Sequence, residues 1–288
     1  MNNKVWFITG AGRGMGTEIA KAALAAGNKV VATGRNIEQV TAVLGKDENL
    51  LVVKLDITHS DEVLEAVQKA VEKFGRIDVL VNNAANFYGG FFEELSQEQI
   101  EAQINTALLG PMNVTRAVLP VMRKQRSGHI ISISSGAGIS GFEFNSAYAA
   151  AKFGLEGWME SLQPEVAPFG INTTIVNAGM FRTEFLTQNS TTYASPSIED
   201  YAERRKLNQE AYESQNGKQA GDPAKLARAL VSIADEKQLP LRFIAGKDAV
   251  GIVESKVDTL TKQTEAYKEN QLRCSGALGA LRIADVAK

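Results

Sequence analysis

Short apolar runs recur along this chain at strand length, and amphipathic stretches fill the intervals. The runs are VWFIT (5–9), KVVAT (29–33), LLVVKL (50–55), IDVLVN (77–82), HIISIS (129–134) and INTTIV (171–176), with LRFIAG (241–246) after a long gap. VWFIT, KVVAT and IDVLVN are nearly uninterrupted in apolar residues, as parallel strands covered on both faces must be. GTEIAKAALAAG (16–27) and SDEVLEAVQKAVEKFG (60–75) are helical in pattern. In the second, Val63, Ala66, Val67, Ala70, Val71 and Phe74 form one stripe, Ser60 stands where an N-cap belongs and Gly75 ends it. Such alternation predicts an α/β fold: a doubly wound, Rossmann-type parallel sheet of about seven strands flanked by helices, in a single domain.

Bulk properties exclude several classes of partner. The formal charge is −2 and the basic residues are scattered, which argues against nucleic acid and membrane surfaces. The densest cluster, Arg204, Arg205 and Lys206, is flanked by acids and reads as a solvated helix face. The single cysteine, Cys274, permits no internal disulfide and suits a reducing compartment. His59 and His129 stand far apart without a Cys or His beside them, so no metal site is expected. The opening MNNKVWFITG reaches a strand without room for a signal peptide, and no apolar run has membrane-spanning length. A cytoplasmic location is the expectation.

In FITGAGRGMG (7–16), glycines fall at 10, 12, 14 and 16 behind the first strand. The G-x-G-x-x-G fingerprint fails, because its third glycine would be Met15, and no Lys-Ser or Lys-Thr closes a triphosphate loop. A strand, glycines and a helix start near Gly14 nevertheless suit a diphosphate seated on a helix N-terminus. Gly10 would permit the sharp turn, and Gly16 would let the helix approach without a Cβ in the way. An ordinary turn with surplus glycines would read the same way.

The stretch resembles the short-chain dehydrogenase/reductase family, whose loop is T-G-x-x-x-G-x-G: here Thr9, Gly10, Gly14 and Gly16, with Gly12 extra. The resemblance continues through LDIT with Asp56, NNAA (82–85), Asn105 in INTALLG, SISSGAG with Ser135, YAAAK with Tyr148 and Lys152, and NAGMFRT ending at Thr183. It runs in the family's order over roughly residues 4–250. It implies a dinucleotide held by Gly10, Gly12, Arg13, Gly14, Met15 and Gly16, then Gly34 and Arg35, then Asp56 and Ile57, then Asn82 and Ala84. Asp56 would take the adenine amino group and Asn82 the adenosine ribose region, although Asp56 is equally a cap for its own turn. Two positions depart from the family: Ala85 and Ala178 replace its usual Gly and Pro. Ala85 would shift the backbone beside the nicotinamide if a positive φ were needed there.

An NAD site wants a carboxylate after the second strand to accept the ribose 2′-hydroxyl. Here Gly34 and Arg35 follow KVVAT, and Arg13 lies in the glycine loop. Two guanidiniums suit the 2′-phosphate of NADP(H). At roughly 1.5–3 kcal/mol per charge-assisted contact, they would favour it over NAD by about two to four orders of magnitude. Both arginines would otherwise simply decorate loop surfaces.

Carbonyl reduction needs a hydride from the cofactor and a proton from a positioned acid. Tyr148 and Lys152 share one helix face at i and i+4. The Lys152 ammonium, with an oxidised nicotinamide, would bring the phenol from about 10 toward 7, which takes roughly 4 kcal/mol. By resemblance, Ser135 would steady the substrate oxygen, with its neighbour Ser134 as the alternative. Asn105 would hold a water feeding protons through Lys152, which would also bind the nicotinamide ribose. Thr183 and the backbone near Gly179 would hold the carboxamide.

Residues 184–222 break the rhythm, without an obvious strand, and read as a substrate loop. Phe87, Tyr88, Phe142, Phe144, Phe185, Leu186 and Tyr193 are the candidate walls for a hydrophobic carbonyl or alcohol; each is equally plausible as core. Residues 1–250 are expected to form the dinucleotide-binding and catalytic domain, and 251–288 a C-terminal helical extension and tail, the apolar, Gly-interrupted tail either packing on a partner subunit or forming a disordered end. The resemblance implies a homodimer or homotetramer and an NADPH-dependent carbonyl reductase, related to branches that reduce retinoid-, steroid- or xenobiotic-like carbonyls. A 3-oxoacyl-carrier reductase, docking through Arg182, Arg204 and Arg205, and a non-catalytic NADPH sensor are the rival readings.

Overall fold

The first strand, β1 (Val5–Ile8), is buried along its whole length. Its side chains alternate between two layers: Val5 and Phe7 enter one apolar cluster, Trp6 and Ile8 the other. Both faces of the sheet are therefore covered, as the unbroken apolar runs require. The structure is a computed structural model and describes residues 3–273. The tail from residue 274 onward, with Cys274 and its expected packing on a partner, lies outside the described residues.

The chain continues through α1 (Gly14–Ala25), β2 (Lys29–Gly34), α2 (Ile37–Leu44), β3 (Leu50–Lys54), α3 (Ser60–Phe74), β4 (Val79–Asn82) and β5 (Phe87–Gly89). Next come α4 (Gln97–Ile104), a π-helical turn Asn105–Leu109, α5 (Gly110–Gln125), β6 (Gly128–Ser135), α6 (Ser146–Val166) and β7 (Ile171–Ala178). Then follow β8 (Thr191–Tyr193), α7 (Ala202–Gln215), α8 (Pro223–Ile233), β9 (Arg242–Ala245) and α9 (Lys247–Arg273). Seven strands form one parallel sheet in the order β3-β2-β1-β4-β6-β7-β9. The winding reverses between β1 and β4, where a crevice opens at the carboxyl ends of the strands. That junction is tied: Asn83 Nδ2 donates to the carbonyls of Thr9 (2.9 Å) and Gly10 (3.1 Å). Thr9 Oγ1 in turn accepts from the amides of Asn83 and Ala84.

Local chemistry differs from expectation in two places. Ser60 is the first helical residue of α3; His59 precedes it with no side-chain cap, and acidic Asp61 and Glu62 occupy the first turn instead. Gly75 does end the helix, at φ +78°. The 184–222 excursion holds a strand after all. The short β8 pairs in parallel with β5, matching Phe87 to Thr191 and Gly89 to Tyr193, too short a run for a period to show. The excursion also supplies α7, and ends where Asp222 caps α8 by accepting from the amides of Ala224 and Lys225.

Candidate active site

The ends of β1, β2, β3, β4, β6 and β7 open into one cavity of about 1200 Å³. Its floor is the glycine loop. Gly10 sits at φ +67°, and a Cβ there would lie 2.9 Å from Ala84 Cα. A Cβ on Gly16 would lie 2.2 Å from the Gly10 carbonyl oxygen, so only glycine lets α1 start this close to the sheet. The first turn of α1 has neither a side-chain cap nor an acidic residue, which leaves its amide donors and positive dipole end to an anion.

Arg13 and Arg35 both line the cavity, with Gly34 and Asp56 beside them. The Arg13 guanidinium is held below its ordinary value by burial and then by the like charge of Arg35, with Glu184 acting the other way. It also donates to the Asn189 carbonyl at 2.8 Å. Two guanidiniums close enough to disfavour each other, at a strand end with no carboxylate of its own, make a cradle for a dianion. Asp56 meets both expectations in geometry, lining the cavity while accepting from Thr58 N (3.0 Å) and Thr58 Oγ1 (2.7 Å). Burial works against its charge, yet those bonds, His59 and Arg35 hold its carboxyl below the usual range.

Deeper in the cavity stand Ser135, at the end of β6, and Tyr148 and Lys152 on α6. Ser135 Oγ accepts from the Ala137 amide at 3.1 Å, and both Ser135 and Tyr148 face the cavity. Ser134, the alternative, donates instead to Glu156 Oε1 at 2.5 Å. Burial pushes the Tyr148 phenol up to about 12; Ser135 opposes this and Tyr212 adds to it. Burial brings the Lys152 amine down to about 8, against the pull of Glu156. Lys152 Nζ donates to the Ile133 carbonyl at 2.8 Å. Before any cofactor arrives, desolvation keeps the hydroxyl protonated; the lowering toward 7 is an expectation for the site with an oxidised nicotinamide bound. Asn105, exposed at the first position of the π-helical turn, also lines the cavity. Single π-turns inside a helix commonly mark functional positions.

Gly12, Gly14, Met15, Ile57, Ala84, Gly179 and Thr183 line the same cavity. Ala85 does too, and it is not among the residues at positive φ, so the expected strain is absent. Asn82 does not line the cavity. As the last residue of β4 it points into the core, where Nδ2 donates to Thr115 Oγ1 (3.1 Å) and Ser132 Oγ (3.2 Å). Strand alternation hands the cavity to Asn83.

At the substrate end, Phe87, Tyr88, Phe142, Phe185 and Leu186 are walls. Phe144 and Tyr193 are not: they pack on each other behind the wall, with ring centroids 6.0 Å apart and tilted at 37°, and Phe144 is held at φ +70°. Tyr212 of α7 was missed. It packs 5.4 Å from Phe87, and its hydroxyl accepts from Asn145 Nδ2 at 2.7 Å. Its polar helix gave no apolar stripe that would point inward. Among the described residues no group of His, Cys, Asp and Glu could hold a metal ion, and no helix is long and apolar enough to cross a membrane.

Comparison with known proteins agrees with this geometry. The family model for short chain dehydrogenases matches residues 4–194. Oxidoreductase BOA17 of Botryotinia fuckeliana is 37% identical over 271 residues, covering 93% of this chain and 98% of its own. The 3-ketodihydrosphingosine reductase of Bacteroides thetaiotaomicron is 37% identical over 248 residues, covering 85% and 89%. Among solved structures, a short-chain dehydrogenase from Streptomyces avermitilis superposes with a TM-score of 0.85 at 35% identity, covering 94% of this chain and 97% of its own. ElxO with NADP bound superposes at 0.69 with 27% identity, covering 84% and 96%. On the family match, the relatives and the likeness of the fold, the chain belongs to the short chain dehydrogenase family and is an oxidoreductase.

Proposed function

We propose that this oxidoreductase transfers hydride between NADP(H) and a hydrophobic ketone, aldehyde or secondary alcohol, with Tyr148 as the proton donor. The observation that carries the reading is a buried, protonated phenol that shares one cavity with Ser135, two crowded guanidiniums and an uncapped helix start. The uncapped turn and the Arg13–Arg35 pair fit a dinucleotide carrying an extra phosphate. Gly10 to Gly14 would lie under the diphosphate and Arg13 and Arg35 against the 2′-phosphate. Asp56 and Ile57 would meet the adenine, Lys152 the nicotinamide ribose, and Gly179 and Thr183 the carboxamide. NADPH, when bound, supplies the hydride.

The protein's own part is proton supply and water exclusion. In this reading the carbonyl oxygen sits between Ser135 and Tyr148, which both line the cavity, and gains a donor from each hydroxyl as charge develops on it. Tyr148 gives up its proton to that oxygen. Lys152 and Asn105, which line the same cavity, would reprotonate the phenol. Phe87, Phe185 and Tyr212 surround the phenol with ring surface, which suits an apolar group on the carbonyl and keeps bulk water away.

Docking of a carrier protein draws no support: Arg204 is bonded to Glu143, Arg205 to Glu94, and Arg182 donates to the Gln219 carbonyl. The test is a panel of carbonyls, including aromatic ketones and a long-chain 3-keto amino alcohol, followed by NADPH oxidation. Turnover of apolar members supports the reading; NADPH binding without turnover of any would favour the sensor. A homodimer or homotetramer belongs to the same proposal, with Leu109 and Phe153 exposed on helices available for pairing, and light scattering checks it.

A further inference from the structure

Glu156 is almost wholly buried, yet no step of the proposed reaction uses it. It stands one helical turn beyond Lys152, so Tyr148, Lys152 and Glu156 occupy one stripe of α6 at i, i+4 and i+8. Its carboxylate is fully engaged. Oε1 accepts from Ser134 Oγ at 2.5 Å and from Asn177 Nδ2 at 2.6 Å. Oε2 accepts from Arg242 Nη1, and that guanidinium also bonds Glu160 Oε1 at 2.5 Å and Asn177 Oδ1 at 3.2 Å. The fit is close: a Cβ on Gly138 would lie 2.0 Å from Glu156 Oε1.

The network ends at the active site. Ser134 precedes Ser135, and Asn177 Nδ2 donates to the Ser135 carbonyl at 3.4 Å. Four elements thus hold one carboxylate in place: β6 through Ser134, β7 through Asn177, β9 through Arg242 and α6 itself. The charged and titratable groups around the Lys152–Glu156 pair are Tyr148 and Glu160 on α6 and Arg242 on β9, with Tyr212 facing Tyr148 from α7. Lys152 has one neutral hydrogen-bond acceptor, the Ile133 carbonyl, and sits beneath the Tyr148 ring in a pocket that disfavours charge. Glu156 is the one group that acts on it in favour of the ammonium.

We propose that Glu156 is a positioning residue that acts through Lys152: its clamped carboxylate, one turn away, keeps the buried amine protonated while never touching substrate or cofactor. The proposal rests on the reading of Lys152 as part of the proton supply. Its physical basis is that a fixed negative charge in a desolvated site acts strongly over one helical turn, where water would screen it. Arg242 and Glu160 fix the carboxylate's position and so the direction of its field.

The test compares wild type, Glu156→Gln and Arg242→Gln. For turnover, the expected result is that Glu156→Gln moves the alkaline fall in kcat to lower pH by about one unit, because the amine loses its proton earlier. Arg242→Gln breaks the same network but retains the carboxylate, so the fall stays in place or moves up. A merely structural role predicts equal losses in both variants and no displacement, and that overturns the proposal. If Glu156→Gln does not fold, Glu156→Asp, with a shorter reach, is expected to show the same displacement in part. Carbon-13 NMR titration of the lysine side chains, with Lys152 assigned by Lys152→Arg, reads the midpoint without turnover. A displaced midpoint with no carbonyl reduced leaves this inference standing and removes the proposed function; turnover with an unmoved midpoint does the reverse.

Discussion

Lys152 Nζ lies 5.6 Å from the centroid of the Tyr148 ring, and its hydrogen bond goes to the Ile133 carbonyl. The amine is thus held under the ring by the strand, not by the phenol. Both groups are desolvated, the phenol pushed up to about 12 and the amine brought down to about 8, so the resting site favours a neutral, proton-bearing hydroxyl. That is the state a reductase needs before hydride arrives.

Arg35→Ala is expected to raise KM for NADPH by about one to two orders of magnitude, the loss of one charge-assisted contact, with little change for NADH. Arg13→Ala should do the same, less cleanly because its guanidinium also holds the Asn189 carbonyl. Steady-state kinetics with both cofactors checks this; equal changes would remove the phosphate assignment.

Tyr212→Ala should open the substrate end. The ring packs against Phe87, which packs at 78° on Tyr148, so its loss admits water and removes an apolar wall. KM for apolar carbonyls is expected to rise about tenfold or more, with NADPH affinity unchanged, as titration of cofactor fluorescence would report.

The excursion is anchored by a buried ion pair. Glu94, with its side chain 0% exposed, accepts from Arg205 and from the amides of Ser197 (3.1 Å) and Ile198 (3.0 Å). Arg205→Met strands that carboxylate and should cost about 3–5 kcal/mol in denaturant unfolding, with Glu94→Gln in the same chain restoring part of it. Burial opposes the Glu94 charge, but the bonds from Ser197, Arg205 and Ile198 hold its carboxyl below the ordinary 4.5. Its contribution is therefore complete above that value and fades as pH falls through the lower folded one.

His129 gives a second pH dependence. Its Nε2 meets Thr174 Oγ1 at 2.8 Å, and that hydroxyl donates to the Pro240 carbonyl, which makes Nε2 the donor. Burial, and then Lys4, bring the imidazole down from 6.5 to about 3. Between those values the unfolded chain binds a proton that the folded chain refuses, so stability should fall by several kcal/mol from pH 6.5 toward 3. His129→Gln should flatten that slope in thermal unfolding; an unchanged slope would contradict it.

Much of this was legible in the sequence, for physical reasons. The seven strands could be read because each is a short apolar run, the inner five buried along nearly their whole length, and Gly75 because a helix end at positive φ favours glycine. Asn82 was misplaced because two adjacent asparagines at a strand end differ only in which face they take. Phe144 and Tyr193 look like walls to a reader of composition; the β5–β8 pairing places Tyr193, and Phe144 packs against it and Phe91, contacts that no local pattern announces. Tyr212 could not be found, since an aromatic on a polar helix carries no mark of the cavity it faces.

Proton donation by one buried hydroxyl is tested most directly by Tyr148→Phe, with NADPH affinity measured by fluorescence titration and carbonyl-dependent NADPH oxidation measured in the same preparation. The account predicts unchanged affinity and a loss of turnover of about 10² to 10⁴-fold. Turnover retained with affinity intact would contradict it.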